Sequence, residues 1–185
     1  MLIDAVRTDG IRPINCAMKT RNRTEMNAGF LAGLLYANGA EYNIYIAAFL
    51  GDAEYVRNAL SKDPSLANFE DSSHARPITA ATVRNDIEMV KLLLNSGADP
   101  SLPENGAPLG QSLWHAVYQK NYELAKLLLE NGANPNTAPE SSGSALFQAR
   151  GDQLLTKLLL EYGAEDISGD INEFQNYVGD YSLDQ

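Results

Sequence analysis

The chain has 185 residues, a formal net charge of −10, a hydrophobic fraction of 44% and one cysteine. That is enough apolar material for a folded core. The acidic balance argues against a general nucleic-acid or anionic-membrane binder, because both need a basic footprint. The lone Cys16 excludes an internal disulfide and a cysteine-rich zinc module. The opening MLIDAVRTDG is polar, and no stretch approaches the roughly 20 apolar residues of a membrane span. A cytoplasmic protein with no membrane partner is the expectation. The charge is uneven. Residues 1–24 carry five basic and two acidic side chains, and residues 121–185 carry three basic and eleven acidic ones.

A pattern recurs along the chain. RPINCAM from Arg12 places Ala17 ahead of LAGLLYANGAEY, which contains Gly39. IYIAAFLGD from Ile44 places Ala47 ahead of YVRNALSKDPSL, where Asp63 stands in the glycine position. RPITAATVRND from Arg76 places Ala81 ahead of MVKLLLNSGADP with Gly97. QSLWHAVYQKN from Gln111 places Ala116 ahead of LAKLLLENGANP with Gly132. SALFQARGD from Ser144 places Ala149 ahead of LTKLLLEYGAED with Gly163. Each copy predicts two short helices. Pro13 and Pro77 suit the first helical position, the alanines permit close helix approach, and the glycines suit a left-handed C-cap. The second helix packs through Val90, Leu93 and Leu94 in one copy and through Ala125, Leu128 and Leu129 in another. Polar connectors such as EDSSHAR and PENGAPLGQ separate the units. A lone unit of this size cannot hide its apolar side, so the copies must stack as a solenoid.

These residues resemble ankyrin repeats. Gly10-Ile11-Arg12-Pro13-Ile14 and Arg76-Pro77-Ile78-Thr79 look like the family's opening stretch, and the leucine triplet followed by Gly-Ala looks like its second-helix signature. The resemblance covers roughly residues 8–165. It implies an all-α ankyrin-repeat solenoid of about five stacked helix pairs with short β-hairpin fingers. The units fall at about 8–42, 43–67, 68–100, 101–135 and 136–165, within an array over 1–167. The family's capping threonine is replaced by Arg12, Arg76 and Gln111, and only Ser144 is a good cap. The family's histidine position holds Asn15, Tyr45, Thr79, Trp114 and Phe147. Gly39 and Ala47 are close enough that the finger between them is expected to be missing, with a local bend.

Residues 168–185 form an acidic C-terminal helix or cap. Phe174, Tyr177, Val178 and Tyr181 make a helical stripe, and Asp170 with Glu173 resembles a capping box. This segment either covers the last repeat, binds a partner, or begins a truncated further repeat.

The chemistry of a catalytic, cofactor or metal site is not gathered anywhere. His74 falls in a connector, and His115 takes the first-helix slot held elsewhere by Cys16, Ile46 and Ala80. Glu165, Asp166 and Asp170 lack the glycine-punctuated loop of a calcium site. No phosphate-binding glycine loop occurs. The resemblance therefore implies a non-catalytic protein–protein interaction module, or an inhibitor that occludes an enzyme or toxin. Partners would bind the concave face of fingers and first helices. The matching positions are Phe49, Leu50, Ser72, Ser73, Val83, Arg84, Trp114, Tyr118 and Gln119. Interface centres favour such aromatic residues and arginine. Phe49 and Trp114 serve equally well as inter-repeat core. The acidic C-terminal third suits a partner with a basic surface, and the charge asymmetry also suits salt-sensitive head-to-tail self-association.

Overall fold

The computed structural model describes residues 41–139 and 143–165. The first unit, Cys16 and the 168–185 segment lie outside the described residues. Helix pairs follow one another along the chain. The first helices are α1 (Ile44–Leu50), α3 (Pro77–Val83), α5 (Ser112–Tyr118) and α7 (Ala145–Gln148). The second helices are α2 (Ala53–Lys62), α4 (Ile87–Asn95), α6 (Tyr122–Glu130) and α8 (Gln153–Glu161). A short 3-10 helix, Pro64–Asn68, follows α2. Each first helix packs on the next one, α1 on α3, α3 on α5 and α5 on α7, and each packs on its own second helix. This is the solenoid the repeats demand.

The four alanines, Ala47, Ala81, Ala116 and Ala149, are all buried, with essentially no exposed surface. Their small side chains set how closely successive first helices approach. From the second helices, Val56, Val90, Leu93, Leu124, Ala125, Leu128, Leu155 and Leu159 fill the same continuous core. Leu94 is only half-buried, at the edge of that stripe.

Three of the second helices end as their glycines predict. Gly97, Gly132 and Gly163 adopt left-handed φ angles of 90°, 89° and 87°. After each, the alanine N–H donates back across the last turn: Ala98 to the Leu93 carbonyl, Ala133 to Leu128 and Ala164 to Leu159. Asp63 breaks the pattern. Its φ is −146°, and its carboxylate accepts from Ser65 N and so starts the 3-10 helix.

The turn from first to second helix uses a device the repeat pattern did not reveal. A left-handed residue, Gly51, Asn85, Lys120 or Gly151, is followed at once by a capping side chain. Asp52 accepts from Tyr55 N, Asp86 from Met89 N, Asn121 from Leu124 N, and Asp152 from Leu154 N and Leu155 N. At the starts of first helices, Arg76 and Gln111 make no side-chain cap, whereas Asn43 and Ser144 do.

The fingers are not β-hairpins among the described residues. They are tight turns, with one isolated antiparallel bridge between Glu104 and Ala107. Pro100, Pro103 and Pro108 crowd this connector, and each removes a donor that a ladder would need. The units are instead stapled by polar side chains at matching places. Asn68 donates to the Gly97 carbonyl (2.8 Å) and accepts from Asp99 N (2.7 Å). Ser101 donates to the Gly132 carbonyl (2.9 Å) and accepts from Asn134 N (2.8 Å). Asn136 repeats the arrangement with Gly163 and Glu165.

Candidate interaction surface

The first-helix C-termini bring several of the expected residues together. Tyr118 ends α5 with 62% of its surface exposed. Its ring lies flat on Trp114, with centroids 5.1 Å apart and planes 9° apart. Trp114 itself is 9% exposed, and its indole N–H donates to the Gly143 carbonyl of the next unit at 3.1 Å. It therefore supports Tyr118 from below while joining two units. Gln119 donates to the Val83 carbonyl at 2.9 Å, and Asn121 donates to Asn85 Oδ1 at 2.5 Å, so α5 and α3 are tied at this end. Val83, Arg84 and Leu50 are half-buried beside them. Phe49 is buried and belongs to the core.

The finger residues are separate from this cluster. Ser72 and Ser73 lie ahead of the N-terminal end of α3, about 10 Å of helix away from Arg84. The expectation that Ser73 faces a partner is corrected. It is 1% exposed, and its hydroxyl donates to Asp71, whose carboxylate also accepts from Ser73 N and Ala75 N. Asp71 is an Asx-turn residue that holds the finger shut. Ser72 remains exposed.

Polar chemistry collects under the fingers. Buried Arg76 donates to the Asn68 and Pro103 carbonyls and pairs with Glu70, which also bonds His74. The paired His74 and Arg76 hold the Glu70 carboxyl below its usual range. Buried Glu104 accepts from the Thr79 hydroxyl and from Arg76 N. Thr79, in the family's histidine position, thus bonds forward into the next finger. Burial raises Glu104 to about 7. Burial against the Trp114 edge lowers His115 to about 4, so it is a neutral packing histidine. Apart from His115, these groups are each engaged in holding turns. Among the described residues no group of three His, Cys, Asp or Glu side chains could hold a metal ion. No described helix is long and apolar enough to cross a membrane.

The row of first-helix ends extends into the last unit. Phe147, at the Trp114 position of the last unit, is half exposed, and Arg150 lies over its ring at 4.4 Å. The signal available was that Phe147 aligns with Trp114.

Stacked helix pairs with alanine-lined first helices and glycine-capped second helices define a helical-repeat solenoid. Residues 44–139 match the family model for ankyrin repeats, three copies, and the chain belongs to that family. Ankyrin repeats are generally protein–protein interaction modules. The chain is also similar to the crystal structure of an ankyrin repeat domain from Acinetobacter baumannii AYE, at 25% identity, a TM-score of 0.59, and coverage of 89% of this chain and 88% of that one. No curated protein matches.

Proposed function

We propose that this chain is a non-catalytic module that grips a protein partner on the face formed by its first-helix ends and fingers. The observation that carries the reading is Tyr118: a large aromatic ring held out into solvent and braced flat on Trp114. Rigid, prepaid aromatic surface is what dominates binding hot spots. Leu50, Val83, Arg84 and Gln119 frame it, and Ser72 extends the contact toward the finger. The acidic charge elsewhere favours a partner with a basic rim and a salt-sensitive association rate.

Affinity capture with wild type and with Tyr118→Ala tests this. The substitution removes mostly exposed surface and one ring stack, so stability falls by about 1 kcal/mol or less. Capture of a stoichiometric protein is expected to fall at least about ten-fold. Undiminished capture by a Tyr118→Ala, Arg84→Ala double variant would show that these residues are packing only.

The array over 1–167 is read as one stack and the 168–185 segment as its cover. Leu154, Leu160 and Tyr162 are exposed on the last pair, and a shallow open groove lies beside Thr156 and Leu160. The Phe174, Tyr177, Val178, Tyr181 stripe has the composition to cover such a surface. Deleting 168–185 is therefore expected to lower the melting temperature by several degrees. An unchanged melting temperature would leave the tail free for another role.

A further inference from the structure

We propose that Arg84 is the anchor for a carboxylate side chain of the protein partner, so that the partner presents an Asp or Glu beside an apolar residue to the first-helix ends. The inference rests on the interaction-face reading above and adds the chemistry of its centre.

Arg84 is the C-cap residue of α3 and is half-buried. Its guanidinium lies across Gly51: a methyl group placed on that glycine would stand 2.9 Å from Nη2 and 3.3 Å from Cζ. Its Nε is buried with no hydrogen-bond partner. Among the described residues no carboxylate pairs with it and no carbonyl accepts from its side chain. The same slot one unit later shows what a purely structural residue does there. Gln119 donates to the carbonyl of Val83, and the matching acceptor for Arg84 would be the Phe49 carbonyl, which it does not use. In the preceding unit the slot holds Leu50. The residue ahead of the left-handed turn is thus aliphatic in one unit and an amide in another; the last unit also has an arginine there, Arg150, but that one lies over the Phe147 ring.

The nearby carboxylates are already committed. Asp52 accepts from Tyr55 N and the Tyr42 hydroxyl, and Asp86 accepts from Met89 N. Among the described residues the other cations without an anion, Arg57, Lys62, Lys120 and Arg150, are exposed to water. Lys91, Lys126 and Lys157, at equivalent places on three second helices, are each paired with a glutamate. In a chain of net charge −10, a partly desolvated guanidinium left without an anion is an unusual arrangement, since it bears a desolvation cost with no pairing in return. A carboxylate arriving from a partner would be taken by the terminal Nη1 and Nη2 atoms as a fork, the Nε being out of reach behind them. The surrounding groups suit a carboxylate on a peptide rather than a doubly charged phosphate. Leu50, next to Gly51, and Val83, next to Arg84, offer apolar contact, the Gln119 bond to the Val83 carbonyl ties the end of α5 to the end of α3, and the overall negative field disfavours a dianion.

Two measurements on the full chain test this together. The first is the melting temperature of Arg84→Leu without any partner, which is expected to equal or exceed that of wild type. A residue kept for structure would instead lower it. The second is selection from a displayed library of random linear peptides, with recovered peptides measured on wild type, Arg84→Leu and Tyr118→Ala. The expected binders carry an Asp or Glu next to an apolar residue, lose at least about ten-fold on Arg84→Leu, and lose as much when their own acidic residue becomes Gln or Asn. Peptides that need Tyr118 but ignore Arg84 overturn the Arg84 assignment and leave the interaction face standing. Peptides indifferent to both overturn the face as well. A library that enriches nothing over the Arg84→Leu protein, or an Arg84→Leu protein that melts clearly below wild type, also overturns the Arg84 assignment.

Discussion

Replacing Leu128 with alanine is expected to destabilise the protein by about 3 kcal/mol, within the roughly 2–5 kcal/mol found for buried leucines. Leu128 is fully buried in the middle of α6. That helix packs against α5 in its own unit and α8 in the next, so the cavity would open between units and not only within one. In a stack where each unit leans only on its neighbours, such a site weakens an interface as well as a helix pair. Leu154 on α8 provides the control. It belongs to the same kind of helix but is 68% exposed, and Leu154→Ala should cost less than about 0.5 kcal/mol. Urea unfolding of both variants checks the contrast. Equal costs would mean that the buried leucine rows are not what holds the units together.

The leucine rows, the buried alanines and the glycine turns were all legible from the residues, because each obeys a local rule that repeats. A glycine after a helical stripe needs only its own backbone preference to be read. The polar staples were not legible in the same way. Asn68, Ser101 and Asn136 act on turns about thirty residues ahead, and nothing in their local sequence marks that reach. The capping pairs Gly51-Asp52, Asn85-Asp86, Lys120-Asn121 and Gly151-Asp152 were readable in principle, since a left-handed residue before an Asx cap is a local signal. Beside the apolar periodicity this is a weak signal, because Asp and Asn are common in any polar turn. The hairpin fingers were expected from resemblance rather than from the residues, and the prolines of the 100–108 connector are the reason they are absent there.

The candidate interaction surface was legible only in outline. Position in the repeat placed Tyr118, Arg84 and Gln119 at the first-helix ends, and Gln119 donates to the carbonyl of Val83, next to Arg84. Burial was not readable at single-residue resolution. Ser72 and Ser73 are adjacent and chemically identical, yet one faces solvent and the other serves Asp71. The difference is set by the Asx turn, in which alternate residues point inward. Whether an arginine finds a partner also depends on which carboxylates have been claimed by caps, and that is settled only in three dimensions.

The pH dependence of stability should show two opposed contributions that Glu104→Gln separates. Glu104 is raised from 4.5 to about 7 by burial, so the folded chain keeps a proton that the unfolded chain releases. Its contribution to stability is complete below pH 4.5 and is lost as the pH rises toward 7. His115 is lowered from 6.5 to about 4, so the unfolded chain holds a proton that the folded chain excludes. Its contribution is complete above pH 6.5 and is lost as the pH falls toward 4. Each limb has a slope of about 1.4 kcal/mol per pH unit. Between about pH 4.5 and 6.5 they cancel for these two groups. Glu104→Gln removes the falling limb. The stability of the variant minus that of wild type should therefore climb by about 2–3 kcal/mol from pH 4.5 to 7, whatever constant offset the amide introduces at Thr79 and Arg76 N. Taking the difference also removes the other carboxylates, Glu70 among them. Denaturant unfolding at four pH values across this range measures it. A difference that stays level would mean that Glu104 titrates alike in the folded and unfolded chains, with its hydrogen bonds offsetting its burial.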